Sequence, residues 1–535
     1  MEKIKNVTTT RKKSLQKPGA ASTFAPAPMA VIDIGSTAIR MTIAAVDASG
    51  SLRAIESLQQ SVSIGKDTFR KGFIEKSTME ECVRALRHFS RVLQEHGLTD
   101  TNRIKVVATT AVREASNQEA FRDRIHIAGG WKIEILDLAD IARLTYMGVR
   151  PFLNRKEFGK GSDLLIVEMG GGTTEVCFIG KGDTAFSQTF TLGSLRLRQL
   201  SDDFHISLSQ QNTLVRQNIQ RTVGQISAQL DKKKEYILVV LGGDMRFAAS
   251  ALVSNWDGTS PITLTAAQLN HYADSILALP LEKMIRKTKL SFAEAETFGP
   301  ALLFYTHLAQ GLGKKGLVVA STSMRHGLLM EMIHGNEDDE RFKGNILGSA
   351  EAAARKYRAD IPHAKRVAHT SAVFFEALRA EHRMHPHEAL LLQVAAMVHD
   401  IGVFIGPRNH HKHSMYLIQN SDFFGLNSSD ITVVALIARY HRRSPPKPSH
   451  AEFMALNFED RIRITKLSAI LRIADALDAT HSGRIDKISC EISGGDFLIS
   501  APGVGDVSIE ELALINKGPL FEDTYGLRPI LQAGG

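Results

Sequence analysis

The stretch Leu164-Leu-Ile-Val-Glu-Met-Gly-Gly-Gly-Thr-Thr-Glu-Val-Cys-Phe-Ile179 decides the fold of this chain. It predicts a buried strand, a glycine-rich turn and a second strand that returns antiparallel to the first. The run Met29-Ala-Val-Ile-Asp-Ile-Gly35 and the apolar segment 39–46 repeat this order. Each first strand ends in an acid, an apolar residue and a glycine, Asp33-Ile-Gly35 and Glu168-Met-Gly170. This duplication predicts two similar α/β halves that face a cleft.

Strand and helix patterns divide the 535 residues into five expected segments. These are a basic disordered tail (1–28), a first α/β domain (29–150), a second α/β domain (151–335), a helical domain (336–483) and a small α+β domain (484–535). The tail holds most of the net charge of +8, so the remainder is nearly neutral and no specific nucleic-acid surface is expected. The longest apolar stretch is interrupted by polar residues, so we expect no membrane span. Cys82, Cys177 and Cys490 are far apart and form no metal-type or redox pair, which predicts a reducing cytoplasm.

The glycine-rich turns favour phosphate binding. Glycine lets the backbone approach an oxyanion closely, and consecutive backbone N–H groups form a concave anion site. Leu241-Gly-Gly-Asp244 adds a third glycine turn at a strand end. The alternative is two ordinary hairpins whose glycines serve only the turn, but two matched copies and a third turn favour one shared site.

Several motifs in a fixed order resemble those of the exopolyphosphatase / guanosine pentaphosphate phosphohydrolase family, in the actin-like ATPase superfamily. They are Asp33-Ile-Gly-Ser-Thr-Ala-Ile-Arg40, Val107-Ala-Thr-Thr-Ala-Val-Arg-Glu-Ala-Ser-Asn117, Glu168-Met-Gly-Gly-Gly-Thr-Thr-Glu175 and Met324-Arg-His-Gly327. The helical domain adds His410-His-Lys-His-Ser-Met-Tyr and Ala438-Arg-Tyr-His-Arg442. The resemblance spans about residues 29–530.

The resemblance implies two actin-like (ribonuclease H-like) α/β domains, a helical HD-like domain, a homodimer, and hydrolysis of terminal phosphoanhydrides in polyphosphate or guanosine pentaphosphate. It also implies that Arg113 contacts phosphate and that Glu175, with the strand-end acid, supports Mg²⁺; the alternative for Arg113 is a surface cation. The candidate phosphate-binding residues are Asp33, Gly35, Ser36, Thr37, Arg40, Arg113, Gly170, Gly171, Gly172, Thr173, Thr174, Gly242 and Gly243. The candidate catalytic residues are Asp140, Glu168 and Glu175.

The segment Asp137-Leu-Ala-Asp-Ile-Ala-Arg143 departs from the family pattern. Ile141 occupies the position of the glutamate that activates water in the family, and isoleucine can neither accept a proton nor orient water. Asp140 lies ~100° away on a helix and would need a local shift to replace it. Thr37, Glu168 and Asp244 replace the usual Asn, Asp and Thr of the three turns, and Asp244 brings negative charge near a phosphate turn.

Histidine is concentrated in one region, because eleven of the 20 histidines lie between residues 361 and 450. Their order with aspartates resembles the metal pattern of the HD phosphohydrolase superfamily. The predicted ligands of a divalent cation (Mn²⁺, Fe²⁺ or Mg²⁺) are His369, His399, Asp400, His413, His441 and Asp475. The alternative is a hydrogen-bonded His–Asp core without metal.

Three functions remain open from the sequence. The leading hypothesis is a phosphoanhydride hydrolase acting in the cleft between the α/β domains, on polyphosphate or guanosine pentaphosphate. The second is an HD-type metal phosphohydrolase whose α/β half binds a regulatory ligand. The third is a polyphosphate or nucleotide sensor with weak turnover, because the base position carries Ile141.

Overall fold

A computed structural model describes residues 28–534, apart from 48–51, 154, 160–161, 181–184, 203–207, 232–233, 335–339 and 443. All but one residue of the predicted basic tail therefore lies outside the described part of the chain. Among the helices within these ranges, none has both the length and the apolar character that a membrane crossing requires.

The first sheet has the strand order β3-β2-β1-β4-β5. Its strands are β1 (Met29–Ile34), β2 (Ala38–Val46), β3 (Leu52–Ser61), β4 (Ile104–Ala108) and β5 (Ile133–Ile135). The helices of this part are α1 (Ile64–Lys71), α2 (Lys76–Glu95), α3 (Thr110–Arg113), α4 (Gln118–Gly129) and α5 (Leu138–Val149). Strands β1 to β3 pair antiparallel, whereas β4 runs parallel to β1 and β5 parallel to β4.

The second sheet has the order β10-β11-β9-β6-β7-β8. Its strands are β6 (Asp163–Met169), β7 (Thr174–Ile179), β8 (Ala185–Phe190), β9 (Tyr236–Leu241), β10 (Ile262–Thr265) and β11 (Gly316–Val319). Strands β8-β7-β6-β9-β11 repeat the order and directions of β3-β2-β1-β4-β5. The predicted duplication is therefore confirmed.

The helices of the second half are α6 (Ser194–Asp202), α7 (Leu208–Gln229), α8 (Gly243–Leu252), α9 (Ala266–Leu277), α10 (Leu281–Thr288), α11 (Phe292–Gly311) and α12 (Met324–His334). Helix α12 follows the second sheet in sequence but packs against α5 and β1 of the first half. It thereby carries side chains from the end of the second half back into the cleft.

A helical region follows, as predicted. Its helices are α13 (Glu340–Lys356), α14 (Ile361–Ala377), α15 (Arg379–His382), α16 (Pro386–Val398), α17 (His410–Gln419), α18 (Ser428–Arg439), α19 (Ala451–Met454) and α20 (Phe458–Ala476). The C-terminal segment combines strands β12 (Ser489–Ser493), β13 (Asp496–Pro502) and β14 (Arg528–Gly534) with helices α21 (Ser508–Lys517) and α22 (Pro519–Tyr525).

The second sheet is buried on both faces, because its strands alternate between two cores. Leu164 and Ile166 of β6 belong to the core that continues into the helical region. Leu165 and Val167 belong to the core formed with the helices of the second half. The α/β part and the helical region are therefore packed together through this sheet.

Candidate functional site

The two glycine-rich turns have the same local geometry. The Gly35 N–H donates to the Ala38 carbonyl at 3.0 Å, and the Gly170 N–H donates to the Thr173 carbonyl at 2.8 Å. The turns also lie against each other, since a Cβ atom added to Gly171 would be 3.0 Å from Cβ of Ser36. The structure thus brings the turns of both halves to one place, at the bottom of the cleft.

A hydroxyl pair completes the contact between the halves, and the third turn lies beside the end of β6. Thr110 Oγ1 lies 3.2 Å from Thr173 Oγ1, and a Cβ atom on Gly172 would collide with the Phe69 ring. Gly242 has φ of 105°, a conformation that favours glycine, and Gly243 begins α8 beside it. Glycine at positions 171 and 172 allows the two halves to approach closely, whereas Gly242 lies beside residues of its own half.

Two arginines that the sequence analysis did not assign lie in the cleft. Arg325, the second residue of α12, donates from Nη1 to Asp33 Oδ2 at 2.9 Å. Arg246 of α8 donates from Nη1 to the Thr322 carbonyl at 3.1 Å. The quoted motif 324–327 contained Arg325, but only the return of α12 to β1 shows that this side chain reaches the first turn.

Arg40 lies beside a second group of acids. Its Nε donates to Gln59 Oε1 at 2.9 Å, and the Gln59 amide donates to Glu294 Oε1 at 2.8 Å. Burial raises the pKa of Asp244 to about 6, although Arg40 and Arg246 lower it. The negative charge that the sequence placed near the third turn therefore faces arginines inside the cleft.

Arg113 is anchored in the first half near the second hairpin. It donates from Nη1 to the Leu136 carbonyl at 2.6 Å and from Nη2 to Thr110 Oγ1 at 3.3 Å. Burial lowers the pKa of Arg113, whereas Glu175 is the strongest of the charges that raise it. Arg113 is thus a partly buried cation of the cleft rather than a freely solvated surface residue.

Glu168 and Glu175 face each other across the second hairpin, as directly opposed residues of β6 and β7. Opposed like charges on neighbouring strands repel each other. Burial raises the pKa of Glu175 to about 7, against the hydrogen bonds from Thr189 and Thr173. Burial also raises the pKa of Glu168, against the charges of Arg246 and Arg325.

One oxygen of this pair has no partner among the described residues. Thr189 donates a short hydrogen bond to Glu175 Oε2, whereas the buried Oε1 lacks a hydrogen-bond partner there. A buried carboxylate oxygen without a partner is costly unless a cation or a water molecule satisfies it. The pair of carboxylates and the free oxygen fit a divalent cation such as Mg²⁺.

The structure does not support phosphate binding by Thr174. Its side chain is fully buried and donates from Oγ1 to the Leu192 carbonyl at 2.6 Å. Side chains alternate between the two faces of a strand, and Thr174, the first residue of β7, lies on the face that points into the core. This residue fixes the hairpin, and the neighbouring Thr173 is the one that meets the other half.

Residue 141, where the family pattern predicts the base, does not contribute a polar group to the cleft. Ile141 is 6% exposed and belongs to a small apolar cluster that includes Val31 and Val107. Asp140 takes part in a capping box at the start of α5, where its Oδ2 accepts a hydrogen bond from the Asp137 N–H at 3.2 Å. Burial and the charge of Asp137 raise the pKa of Asp140 to about 6.

A second cluster lies in the helical region, where imidazoles of four elements converge. His399 contacts the Ala396 carbonyl through Nδ1 at 2.7 Å, and His441 contacts the Ala438 carbonyl through Nδ1 at 2.6 Å. A neutral imidazole that donates from Nδ1 presents a lone pair at Nε2. These Nε2 atoms point towards Asp400, at 3.5 Å from His399 Nε2 to Oδ2 and from His441 Nε2 to Oδ1.

His363 and His410 complete the cluster. His363 Nε2 lies 3.5 Å from Asp475 Oδ1, and His410 Nε2 lies 3.2 Å from Asp400 Oδ1. Three sets of potential ligand atoms lie within 4.8 Å of one another: His363, His399 and Asp400; His399, His441 and Asp475; Asp400, His410 and His441. Imidazole and carboxylate donors of this kind suit a divalent metal ion.

Two predicted ligands, His369 and His413, lie outside the three sets. The structure places His363 where His369 was expected, and His410 where His413 was expected. His369 is exposed, because six residues along a helix correspond to about 600° and direct it away from the buried face. The buried residues Ala364, Val367 and Phe374 of α14 are in phase with His363, so helical periodicity was the missed signal.

Three polar atoms of the cluster are buried and lack a hydrogen-bond partner within the described ranges: His363 Nε2, His399 Nε2 and Asp400 Oδ1. Burial lowers the pKa of His363, but the neighbouring carboxylates of Asp475 and Asp478, the second of them 2.7 Å from Nδ1, outweigh this and raise it to about 9. Burial lowers the pKa of His441 to about 3. His410 Nε2 and His441 Nε2 lie at hydrogen-bond distance, 3.2 Å, whereas the unpartnered His399 Nε2 and Asp400 Oδ1 fit a bound cation better than a satisfied core.

Two family models match this chain. The model of the Ppx/GppA phosphatase family matches residues 42–336, and the model of Ppx/GppA phosphatase, domain III, matches residues 347–497. The chain belongs to the Ppx/GppA phosphatase family. The resemblance found in the motifs is thereby confirmed, together with the predicted hydrolase class and the fold of two actin-like α/β domains before a helical region.

Two of the relatives of this chain share one name. A guanosine-5'-triphosphate,3'-diphosphate pyrophosphatase of Photobacterium profundum is 22% identical over 465 residues, covering 83% of this chain and 86% of the relative. The protein of the same name from Pseudoalteromonas translucida is 26% identical over 422 residues, covering 77% of this chain and 80% of the relative.

A solved structure supports the fold of the phosphatase-family chain. The exopolyphosphatase from Cytophaga hutchinsonii ATCC 33406 matches with a TM-score of 0.52 and 20% identity, covering 58% of this chain and 98% of that chain.

Proposed function

We propose that the cleft hydrolyses a terminal phosphoanhydride of inorganic polyphosphate, guanosine pentaphosphate or both. The observation that carries this proposal is the contact between two matched glycine turns. The Asp33 and Arg325 pair lies on one side of this contact, and the Glu175 and Arg113 pair lies on the other. Backbone N–H groups and arginines suit the charged oxygens of a phosphate chain. The names of the relatives, a pentaphosphate pyrophosphatase and an exopolyphosphatase, agree with these substrates.

Glu168 and Glu175 are the residues that would hold Mg²⁺ in this cleft. The opposed carboxylates and the unpartnered Oε1 of Glu175 fit such an ion. When bound, the ion supplies charge neutralisation at the phosphates. The chain itself orients the substrate: Arg113 and Arg325 offset phosphate charge, and the turns 35–37 and 170–173 fix its oxygens.

Activation of the attacking water is the step that we expect to be slow. Ile141 offers no base, and one oxygen of Asp140 already accepts the hydrogen bond of its capping box. Its other oxygen, Oδ1, pairs with Arg143 Nη2 at 3.5 Å, and the charge of Asp140 contributes to raising the pKa of Arg113. We therefore propose turnover that is slow for the family, with Asp140 as the carboxyl that orients the water.

Release of inorganic phosphate from long polyphosphate and from guanosine pentaphosphate, each with Mg²⁺, tests the cleft. We expect release in the wild type and its loss in Glu175→Gln. The matched control is Glu491→Gln, which changes an exposed glutamate of β12. Full activity of folded Glu175→Gln would contradict the assignment, and the ratio between the two substrates decides the preference.

A second candidate function is favoured by the buried lone pairs of the helical region. We propose that His363, His399, Asp400, His410, His441 and Asp475 bind a divalent metal ion, as in an HD-type phosphohydrolase. Elemental analysis of gently purified protein, and after reloading with Mn²⁺, Fe²⁺ or Mg²⁺, tests this centre. We expect stoichiometric metal in the wild type and its loss in His399→Ala, whereas a metal-free wild type after reloading would support the hydrogen-bonded core.

A further inference from the structure

The histidine–aspartate cluster is contacted by a lysine from the C-terminal segment. Lys517, the last residue of α21, forms an ion pair with Oδ2 of Asp475. The other oxygen of this carboxylate, Oδ1, faces the cluster, at 3.5 Å from His363 Nε2 and 3.9 Å from His399 Nε2. The Asp475 carboxylate therefore faces the proposed metal centre through Oδ1 and the Lys517 ammonium group through Oδ2.

The backbone at this lysine is held by the helix that carries Asp475. Arg472, one turn before Asp475 on α20, donates from Nε to the Lys517 carbonyl at 3.0 Å. The same guanidinium donates from Nη1 to the Tyr440 carbonyl at 3.2 Å, next to His441. The end of α21 is thus fixed at the cluster, while the Lys517 side chain remains 20% exposed.

We propose that Lys517 is a resident counter-ion of Asp475 that competes with the divalent cation for this carboxylate. The proposal rests on the metal centre proposed above. Without metal, the ammonium group offsets the charge of an otherwise buried carboxylate, which would be costly to leave unpaired. With metal, two cations share one carboxylate and repel each other, so Lys517 stabilises the metal-free protein more than the loaded protein.

This difference determines the sign of the expected effect. Removing the ammonium charge destabilises the metal-free protein and relieves repulsion in the loaded one. Metal binding to a Lys517→Met variant is therefore expected to be tighter, by at least ~10-fold, than binding to the wild type. A lysine that only positioned the carboxylate would give the opposite result, because loss of an orienting partner weakens a metal site.

The test is a Mn²⁺ titration of the chelator-stripped, full-length protein, followed by calorimetry, with melting temperatures measured in parallel. Lys517→Met is expected to bind Mn²⁺ more tightly, to melt at a lower temperature without metal, and to gain more from added Mn²⁺ than the wild type. Lys517→Arg keeps the charge and is expected to resemble the wild type. Lys487→Met, which removes an exposed lysine of the same segment, is the control. His399→Ala measures how much Mn²⁺ binds outside the histidine–aspartate cluster.

Equal or weaker Mn²⁺ binding by Lys517→Met overturns the counter-ion role. Lys517→Gln is a second neutral variant, in case the methionine variant does not fold. Absence of Mn²⁺ from every variant, including the wild type, contradicts the metal centre itself and so is distinct from a failure of the lysine proposal alone. Tighter binding by both neutral variants, with wild-type behaviour of Lys517→Arg, supports it.

Discussion

The hairpins β1–β2 and β6–β7 are two copies of one structure that differ in charge. In the first, Asp33 lies opposite Arg40 and pairs with Arg325, so its negative charge is balanced by arginines. In the second, Glu168 lies opposite Glu175, and both carboxyls have raised pKa values because of burial. The first copy can stand without a ligand, whereas the second gains from an added cation. Duplication therefore supplied one geometry, and substitution at a few positions divided the roles.

The largest expected effect comes from neutralising the second hairpin. Glu175→Gln is expected to lower phosphate release by ~10²-fold or more, because it removes the carboxylate that supports the ion and borders the water. The histidine–aspartate cluster is far along the chain and keeps its residues, so metal content there should not change. Phosphate release and metal content are measured on the same samples. Loss of both together would indicate that the two sites are not independent.

The same variant has a pH-dependent effect on stability. The pKa of Glu175 is raised to about 7 in the folded state, so the folded protein holds this proton more tightly than the unfolded chain. As the pH rises from the ordinary pKa of a glutamate to about 7, the free energy of unfolding of the wild type therefore falls by roughly 3 kcal/mol because of this group. Glu175→Gln lacks that loss. Denaturant unfolding at pH 5 and pH 8 measures the difference, and an equal change at both values would refute the raised pKa.

The next prediction concerns the contact between the two glycine-rich turns. In Gly171→Val, the new side chain would press on Ser36, whose Cβ is 3.0 Å from the position of an added Cβ. We expect the turns to separate and phosphate release to fall by ~10-fold or more, because positioning of the phosphates depends on close backbone approach. Gly224→Ala, on α7 with open space around it, is the control. Wild-type activity of a folded Gly171→Val would show that the turns need not touch.

A smaller effect is expected at the third turn. Burial raises the pKa of Asp244 to about 6, so this carboxyl gains negative charge beside the phosphate turns as pH rises through that value. Polyphosphate affinity of the wild type should therefore fall relative to Asp244→Asn above pH 6, by several-fold to ~10-fold. Below pH 5 the two proteins should bind alike. Competition binding at pH 5 and pH 8 measures the ratio, and a constant ratio would contradict this role.

The last expected effect concerns the position that departs from the family pattern, and it is an effect on stability. The sequence predicts that Ile141→Glu restores a base and raises turnover, whereas burial of Ile141 among apolar residues predicts a loss of stability of ~1–3 kcal/mol. We expect the loss of stability, measured by denaturant unfolding with Ile141→Met as the control. A tenfold rise in turnover per folded molecule would show that a side chain at 141 reaches the cleft.

Local patterns in the sequence were enough to predict the duplicated hairpins. Alternating apolar residues, an acid at the strand end and a glycine turn act over a few residues, so their outcome depends little on the rest of the chain. The strands were therefore predicted correctly within Leu164 to Ile179 and within Met29 to Val46. The order of the motifs predicted the correct family. The helices expected over residues 346–480 followed from the same local periodicity.

Only the tertiary structure decided which side chains meet. Arg325 reaches the first half because α12 returns to β1, a contact between residues nearly 300 positions apart. His363 rather than His369 joins the cluster because packing of α14 selects one helix face. Lys517 reaches Asp475 because α21 folds back onto α20. Such contacts depend on packing between distant segments, and no local pattern of residues specifies the partner.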